Sequence, residues 1–93
     1  MRLIVFFDLP VKTKQERKIY SEFRRELIKQ GYFMIQFSVY GRICNGIDSV
    51  NKFVAKLKKI TPINGSVRVL SVTEKQYASI IILSGAKNLK IRT

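Results

Sequence analysis

Residues 32–43, Tyr-Phe-Met-Ile-Gln-Phe-Ser-Val-Tyr-Gly-Arg-Ile, carry the decision about the fold. Their side chains alternate as those of a strand do. Phe33, Ile35, Phe37, Val39 and Ile43 fall on one side, and Met34, Gln36, Ser38, Tyr40 and Arg42 on the other. The stretch is about twice the usual length of a strand, so it is expected to break near Gln36–Ser38 by a bend, a bulge or a tight reversal. No Gly or Asn marks the place. A single long strand and a hairpin imply different sheets, and the flanking elements decide between them.

Upstream, Leu3-Ile4-Val5-Phe6-Phe7 is an apolar run that ends in Asp8-Leu9-Pro10, which predicts a buried strand over residues 2–8. Thr13-Lys14-Gln15-Glu16 reads as a capping box opening a helix. Its apolar face is Ile19, Tyr20, Phe23, Leu27 and Ile28, and Gly31 is its stop. Downstream, Cys44-Asn45-Gly46 is turn chemistry. A second helix over about 47–60 then shows Ile47, Val50, Phe53, Val54, Leu57 and Ile60 on one face, with Lys58 and Lys59 in its last turn. Gly65 precedes a strand from Ser66 to Val72. Thr73-Glu74-Lys75-Gln76 suits a short turn or helical cap, and Ser79–Leu83 reads as a last strand apolar on both faces. Counting residues 32–43 as two strands gives the split βαββαβ, ferredoxin-like plan with an additional C-terminal strand. The class is α+β: an antiparallel sheet with two helices on one face. Residues 1–84 are expected as a single domain and 85–93 as a basic tail carrying Lys87, Lys90 and Arg92. The sheet's second face keeps apolar side chains, which asks for a covering partner, most simply a second copy of the chain.

Eighteen Lys and Arg stand against six acids, a net charge of +12. In a small folded domain this surplus favours polyanions, chiefly nucleic acid, over the competing membrane-surface and ribosomal explanations. No histidine is present, so imidazole acid–base catalysis and most zinc sites are excluded, and one cysteine excludes an internal disulfide. Neither a membrane span nor a signal peptide is expected, and the cytoplasm is the expected compartment. An enzyme would have carboxylates, lysines, arginines, tyrosines and serines to work with, and the simplest such chemistry is carboxylate-held magnesium acting on a phosphodiester. Asp8 is the prime carboxylate, since it closes an apolar strand where the chain leaves the core. Asp-x-Pro is equally good turn chemistry. One chain has too few acids for a cluster, but a twofold axis beside Asp8 would supply two. Two such carboxylates would repel each other without metal, so metal and pH dependence should be coupled.

Several patterns together resemble the CRISPR-associated Cas-two family, most closely members from type II systems. They are Phe7-Asp8-Leu9 at the end of the first strand, Arg17 early in the first helix, Gln36-Phe37-Ser38-Val39-Tyr40, Gly65-Ser66-Val67-Arg68-Val69-Leu70, and Thr73-Glu74-Lys75-Gln76. The resemblance spans residue 2 to about 84. It implies a ferredoxin-like fold and a symmetric homodimer whose last strand completes the partner's sheet. It also implies a metal-dependent nuclease on RNA or double-stranded DNA, with Asp8 in a magnesium site at the dimer interface. It implies further that in CRISPR adaptation the dimer bridges copies of the larger integrase subunit and holds duplex DNA destined to become a spacer.

Around Asp8, Arg17 is a candidate phosphate ligand, and Ser38 a candidate support for the metal site or a dimer contact. Ser38 is no nucleophile, because no base is present to activate it. Lys14, Lys18, Arg24 and Arg25 together suit the DNA backbone, each having a solvated helix face as its plainer reading. Arg42, counted with the nucleic-acid-binding residues, and Arg68 alternate with apolar neighbours, equally consistent with a sheet edge or an electropositive groove. Tyr40 suits a core or interface, and Cys44 an inert packing position. Two other functions fit the same composition: a non-catalytic module for single-stranded RNA, and a toxin-type ribonuclease.

Overall fold

A computed structural model describes residues 1–85. The elements run β1 (Arg2–Asp8), α1 (Lys14–Lys29), β2 (Phe33–Gln36), β3 (Val39–Ile43), α2 (Ile47–Ile60), β4 (Ser66–Val72) and α3 (Glu74–Ala78). The stretch 32–43 is thus a hairpin. Its reversal falls on Phe37 and Ser38, and the pairing shifts by a bulge between Met34 and Gln36. Ser38 supplies the turn with a left-handed backbone, φ 62°, which a non-glycine residue adopts only at a cost of about 1–2 kcal/mol. That is why no Gly or Asn announced it.

The four strands form one antiparallel sheet in the order β2-β3-β1-β4. Residues directly opposite in such a sheet share a face. Leu3 pairs with Arg42 and Val5 with Tyr40, so these point to the helices; Ile4 pairs with Gly41 and Leu70, so these point away. On the helix side Leu3, Val5, Phe7 and Tyr40 pack against Phe23 and Leu27 of α1 and Val50, Phe53 and Leu57 of α2. Phe7 meets Phe23 edge to face at 5.2 Å and lies 5.7 Å from the rings of Tyr20 and Tyr40. Tyr32 is also in this core; burial pushes its phenol up to about 12.

Both helices form where the periodicity put them. The Thr13–Glu16 capping box is present with both of its hydrogen bonds, and Gly31 takes the left-handed conformation past the end of α1. Two details differ. Ile19 and Ile28 are exposed, because the sheet receives only the narrower stripe of Tyr20, Phe23 and Leu27. Thr73 and Gln76 form a second capping box, and the short helix α3 follows it.

The additional strand expected over Ser79–Leu83 is absent from the single chain. Ser79 caps α3, and residues 80–83 pair with no strand among the described residues. Apolar content alone does not make a strand; it needs an edge to pair with, and α3 carries the chain past its own β4. Ile80, Ile81 and Leu83 are left exposed. Of the expected basic tail, Lys87, Lys90 and Arg92 lie outside the described residues.

Candidate functional site

Asp8 is the last residue of β1, paired with Ser66 of β4, and its side chain is exposed. Leu9 immediately re-enters the core, so the carboxylate stands where the backbone turns away from the sheet. Gly65 makes this corner. A Cβ there would lie 2.7 Å from the Asp8 carbonyl oxygen and 2.8 Å from a Leu9 methyl, and its φ of +98° suits glycine alone. Glu16 is spent on the α1 cap, Glu26 on Lys29 and Glu74 on Arg2. The Asp8 carboxylate has no hydrogen bond or ion pair among the described residues.

Around it lies a shallow depression of about 510 Å³ lined by Phe6, Phe7, Asp8, Phe37, Ser38, Val39, Ser66 and Arg68. Three elements meet there: the end of β1, the β2–β3 turn and the start of β4. Ser38 is held on three counts. Its backbone is left-handed, its carbonyl accepts from the Phe7 amide at 3.1 Å, and its hydroxyl lies 3.3 Å from that of Tyr20. Ser38 and Asp8 thus line the same depression.

The structure separates two arginines that the sequence left equal. Arg68 pairs with Phe6, two residues before Asp8, and so shares the open face and the depression with it. Arg42 pairs with Leu3 and falls on the helix side, its guanidinium 3.7 Å from the centre of the Phe53 ring and bonded to the Ile43 carbonyl. Arg68 is thus the site residue that sequence reasoning did not single out. Only the strand register distinguishes the two, and register is not written in alternation.

The helix cations are placed elsewhere. Arg17 donates to the carbonyls of Val11 (3.2 Å) and Lys12 (2.9 Å), which ties down the β1–α1 loop. It shares the outer surface of α1 with Lys14 and Lys18. Arg24 donates from Nε to the buried Tyr40 hydroxyl at 2.7 Å. Arg25 lies with Glu22, Glu26 and Lys29 along another side of α1. None of these five lines the Asp8 depression, so the protein presents a carboxylate–arginine pocket and a separate basic helix surface.

Chemically, one carboxylate and two serine hydroxyls (Ser38 and Ser66) face the depression. No group of three or more His, Cys, Asp or Glu side chains that could hold a metal exists among the described residues. Magnesium does not require one: it is commonly held by one or two carboxylates, with waters and phosphate oxygens completing its shell. An exposed carboxylate without a hydrogen bond or ion pair among the described residues fits that demand, and a second copy would double it. No helix among the described residues is long and apolar enough to cross a membrane.

Among the described residues, a ferredoxin-like sheet covered on one face only, with an unpaired carboxylate beside an arginine at one end, defines a small basic α+β domain with a polar pocket at its strand ends. The chain belongs to the CRISPR-associated Cas2 family: the family model described as CRISPR associated protein Cas2 matches residues 1–80. It is 58% identical over 85 residues to a CRISPR-associated endoribonuclease Cas2 of Acidovorax ebreus, covering 91% of this chain and 83% of that one. A protein of the same description from Campylobacter jejuni is 51% identical over 85 residues, covering 91% of this chain and 59% of the relative's length. The crystal structure of Streptococcus pyogenes Cas2 at pH 6.5 superposes with a TM-score of 0.68 over 90% of this chain and 100% of that one. At 17% identity that likeness speaks for the fold, and it agrees with the ferredoxin-like reading.

Proposed function

We propose that the chain is a CRISPR adaptation protein that works as a homodimer, with a magnesium-dependent phosphodiesterase site where the Asp8 residues of two copies approach each other. The observation that carries the reading is the unpaired Asp8 carboxylate in one depression with Arg68 and Ser38, at the rim of an uncovered apolar sheet face. Relatives at 51–58% identity are named endoribonucleases, which supports an RNA substrate, with DNA the alternative substrate.

Asp8 would hold the cation, which when bound supplies a Lewis acid and lowers the pKa of its water. Arg68 would stabilise charge developing on the phosphoryl oxygens as the bond to the leaving oxygen breaks. The Ser38 hydroxyl, beside that of Tyr20, is a positioned hydrogen-bonding group and not a nucleophile. Lys14, Lys18 and Arg25 on α1, together with the +12 charge, suit the backbone of duplex DNA held for integration and contacted without base discrimination. The larger CRISPR integrase subunit is the protein partner of that reading.

The test is Asp8→Asn, which removes the charge at nearly constant volume. Metal-dependent cleavage of RNA and of duplex DNA should fall at least about a hundredfold, while dimerisation and duplex binding persist. Full metal-dependent cleavage by a folded, dimeric Asp8→Asn protein would remove the catalytic assignment. Spacer acquisition with the same variant then separates the two roles: normal acquisition leaves the DNA-holding role as the biological one.

A further inference from the structure

Phe37 sits at the tip of the β2–β3 hairpin with 79% of its surface exposed, unusual for a side chain that alternation assigns to a sheet face. It has left that face. Its ring stacks on Tyr20 of α1 with centroids 6.3 Å apart and planes at 27°. Tyr20 in turn packs on Phe7 of the core at 5.7 Å, and its hydroxyl reaches Ser38. The three rings form a column from the core to the surface, and its outermost member has one side backed by Tyr20. The turn that raises it is held by the Phe7 amide and by a serine in a left-handed conformation. A strained residue retained at an exposed tip asks for a reason, and Phe37 also lines the depression that holds Asp8 and Arg68.

We propose that Phe37 is a stacking platform for one unpaired nucleobase of a single-stranded substrate whose phosphate lies at Asp8 and Arg68. A nucleotide offers a flat apolar ring and an anionic phosphate one sugar apart. The depression offers an aromatic ring beside a guanidinium and a candidate cation ligand. Stacking on an aromatic side chain strengthens binding several-fold to more than a hundredfold per base and tolerates any sequence. It needs a free base face, which the interior of a duplex does not present. Single strands would therefore engage both ring and pocket, whereas a duplex would engage the basic surface and the pocket but not the ring. The inference deepens the assignment of the Asp8 site and rests on it for the position of the phosphate.

The chain contains no tryptophan, so Phe37→Trp introduces a single emitter at the platform. In the full chain, with metal removed by chelator, a six-nucleotide single-stranded RNA should quench that emission, whereas a blunt duplex bound to the same protein should not. Phe37→Ala should weaken the hexamer about tenfold, leave duplex affinity unchanged and leave the sedimentation coefficient that of the parent. Equal loss of both ligands, a shift to monomer in Phe37→Ala, or no quenching by the bound hexamer would each overturn the proposal. The exposed position makes misfolding on truncation a small concern, and circular dichroism checks it. The two readings fail separately. Unchanged hexamer affinity in Phe37→Ala with cleavage lost in Asp8→Asn rejects the platform alone. Quenching with cleavage intact in Asp8→Asn rejects the metal site alone.

Discussion

At the scale of single residues, what was legible depended on whether position along the chain or position in space carried the information. Asp8 could be singled out because it ends an apolar run and few other acids exist. Ser38 could be noticed as a hydroxyl within an apolar stretch, although its left-handed backbone could not. Arg24 shows the opposite case. On the sequence it is one more cation of a basic helix, yet its Nε satisfies the hydroxyl of fully buried Tyr40 at 2.7 Å. Removing one partner of a buried hydrogen bond costs more than removing the acceptor's need for one. Arg24→Met, which keeps the aliphatic stem, is expected to destabilise by about 1–3 kcal/mol, and Tyr40→Phe by about 1 kcal/mol. In the double variant the Arg24 penalty should largely vanish. Urea midpoints at constant m-value measure all three, and simple additivity would show that the bond contributes nothing.

Among the elements, both long helices were readable because a 3.6-residue stripe and two capping side chains are local properties. The hairpin and the place of its reversal were readable from length, but the left-handed backbone of Ser38 was not, since strand pairing and the Phe7–Ser38 hydrogen bond hold the turn. Helix α3 is kept in place by non-local contacts. Arg2 of β1 donates to both carboxylate oxygens of Glu74, at 3.0 and 3.1 Å, and its guanidinium lies 4.0 Å from the centre of the Tyr77 ring. The hydrogen bond from Arg2 holds the Glu74 carboxyl below the usual carboxylate range. The folded value being the lower one, the clamp's contribution is present above the ordinary carboxylate value and lost as pH falls through the lowered one. The native protein should therefore melt above Glu74→Gln at neutral pH, and the gap should close in acid. A gap independent of pH would sink the clamp. Because Glu74 is exposed, the effect should be small and should shrink in high salt.

At the scale of the whole molecule, the described residues form two layers, with one apolar face of the sheet left open. Phe6, Ile43 and Leu70 remain 40%, 56% and 54% exposed on the open face, and Ile80, Ile81 and Leu83 extend beyond α3 without a strand to join. On the reading proposed above, a second copy of the chain would cover this surface. Leu70→Lys, on the open face and away from the helix core, should shift the protein to monomer in sedimentation while its helical dichroism stays unchanged. Metal-dependent cleavage should be lost with dimerisation, since one chain brings a single carboxylate, Asp8, to the depression. A monomeric Leu70→Lys protein that still cleaves would separate the site from the dimer. The sequence by itself determined what rests on local periodicity, composition and covalent chemistry: the α+β class, the helices, the absence of histidine chemistry and the candidacy of Asp8. The tertiary structure alone decided what depends on register and on the presence of a pairing edge. It placed Arg68 beside Asp8 and Arg42 beneath α2, turned Phe37 off its sheet face, and left the last apolar segment unpaired. Alternation says which residues share a face but not which residues across the sheet they meet, and only the pairing of distant strands supplies that.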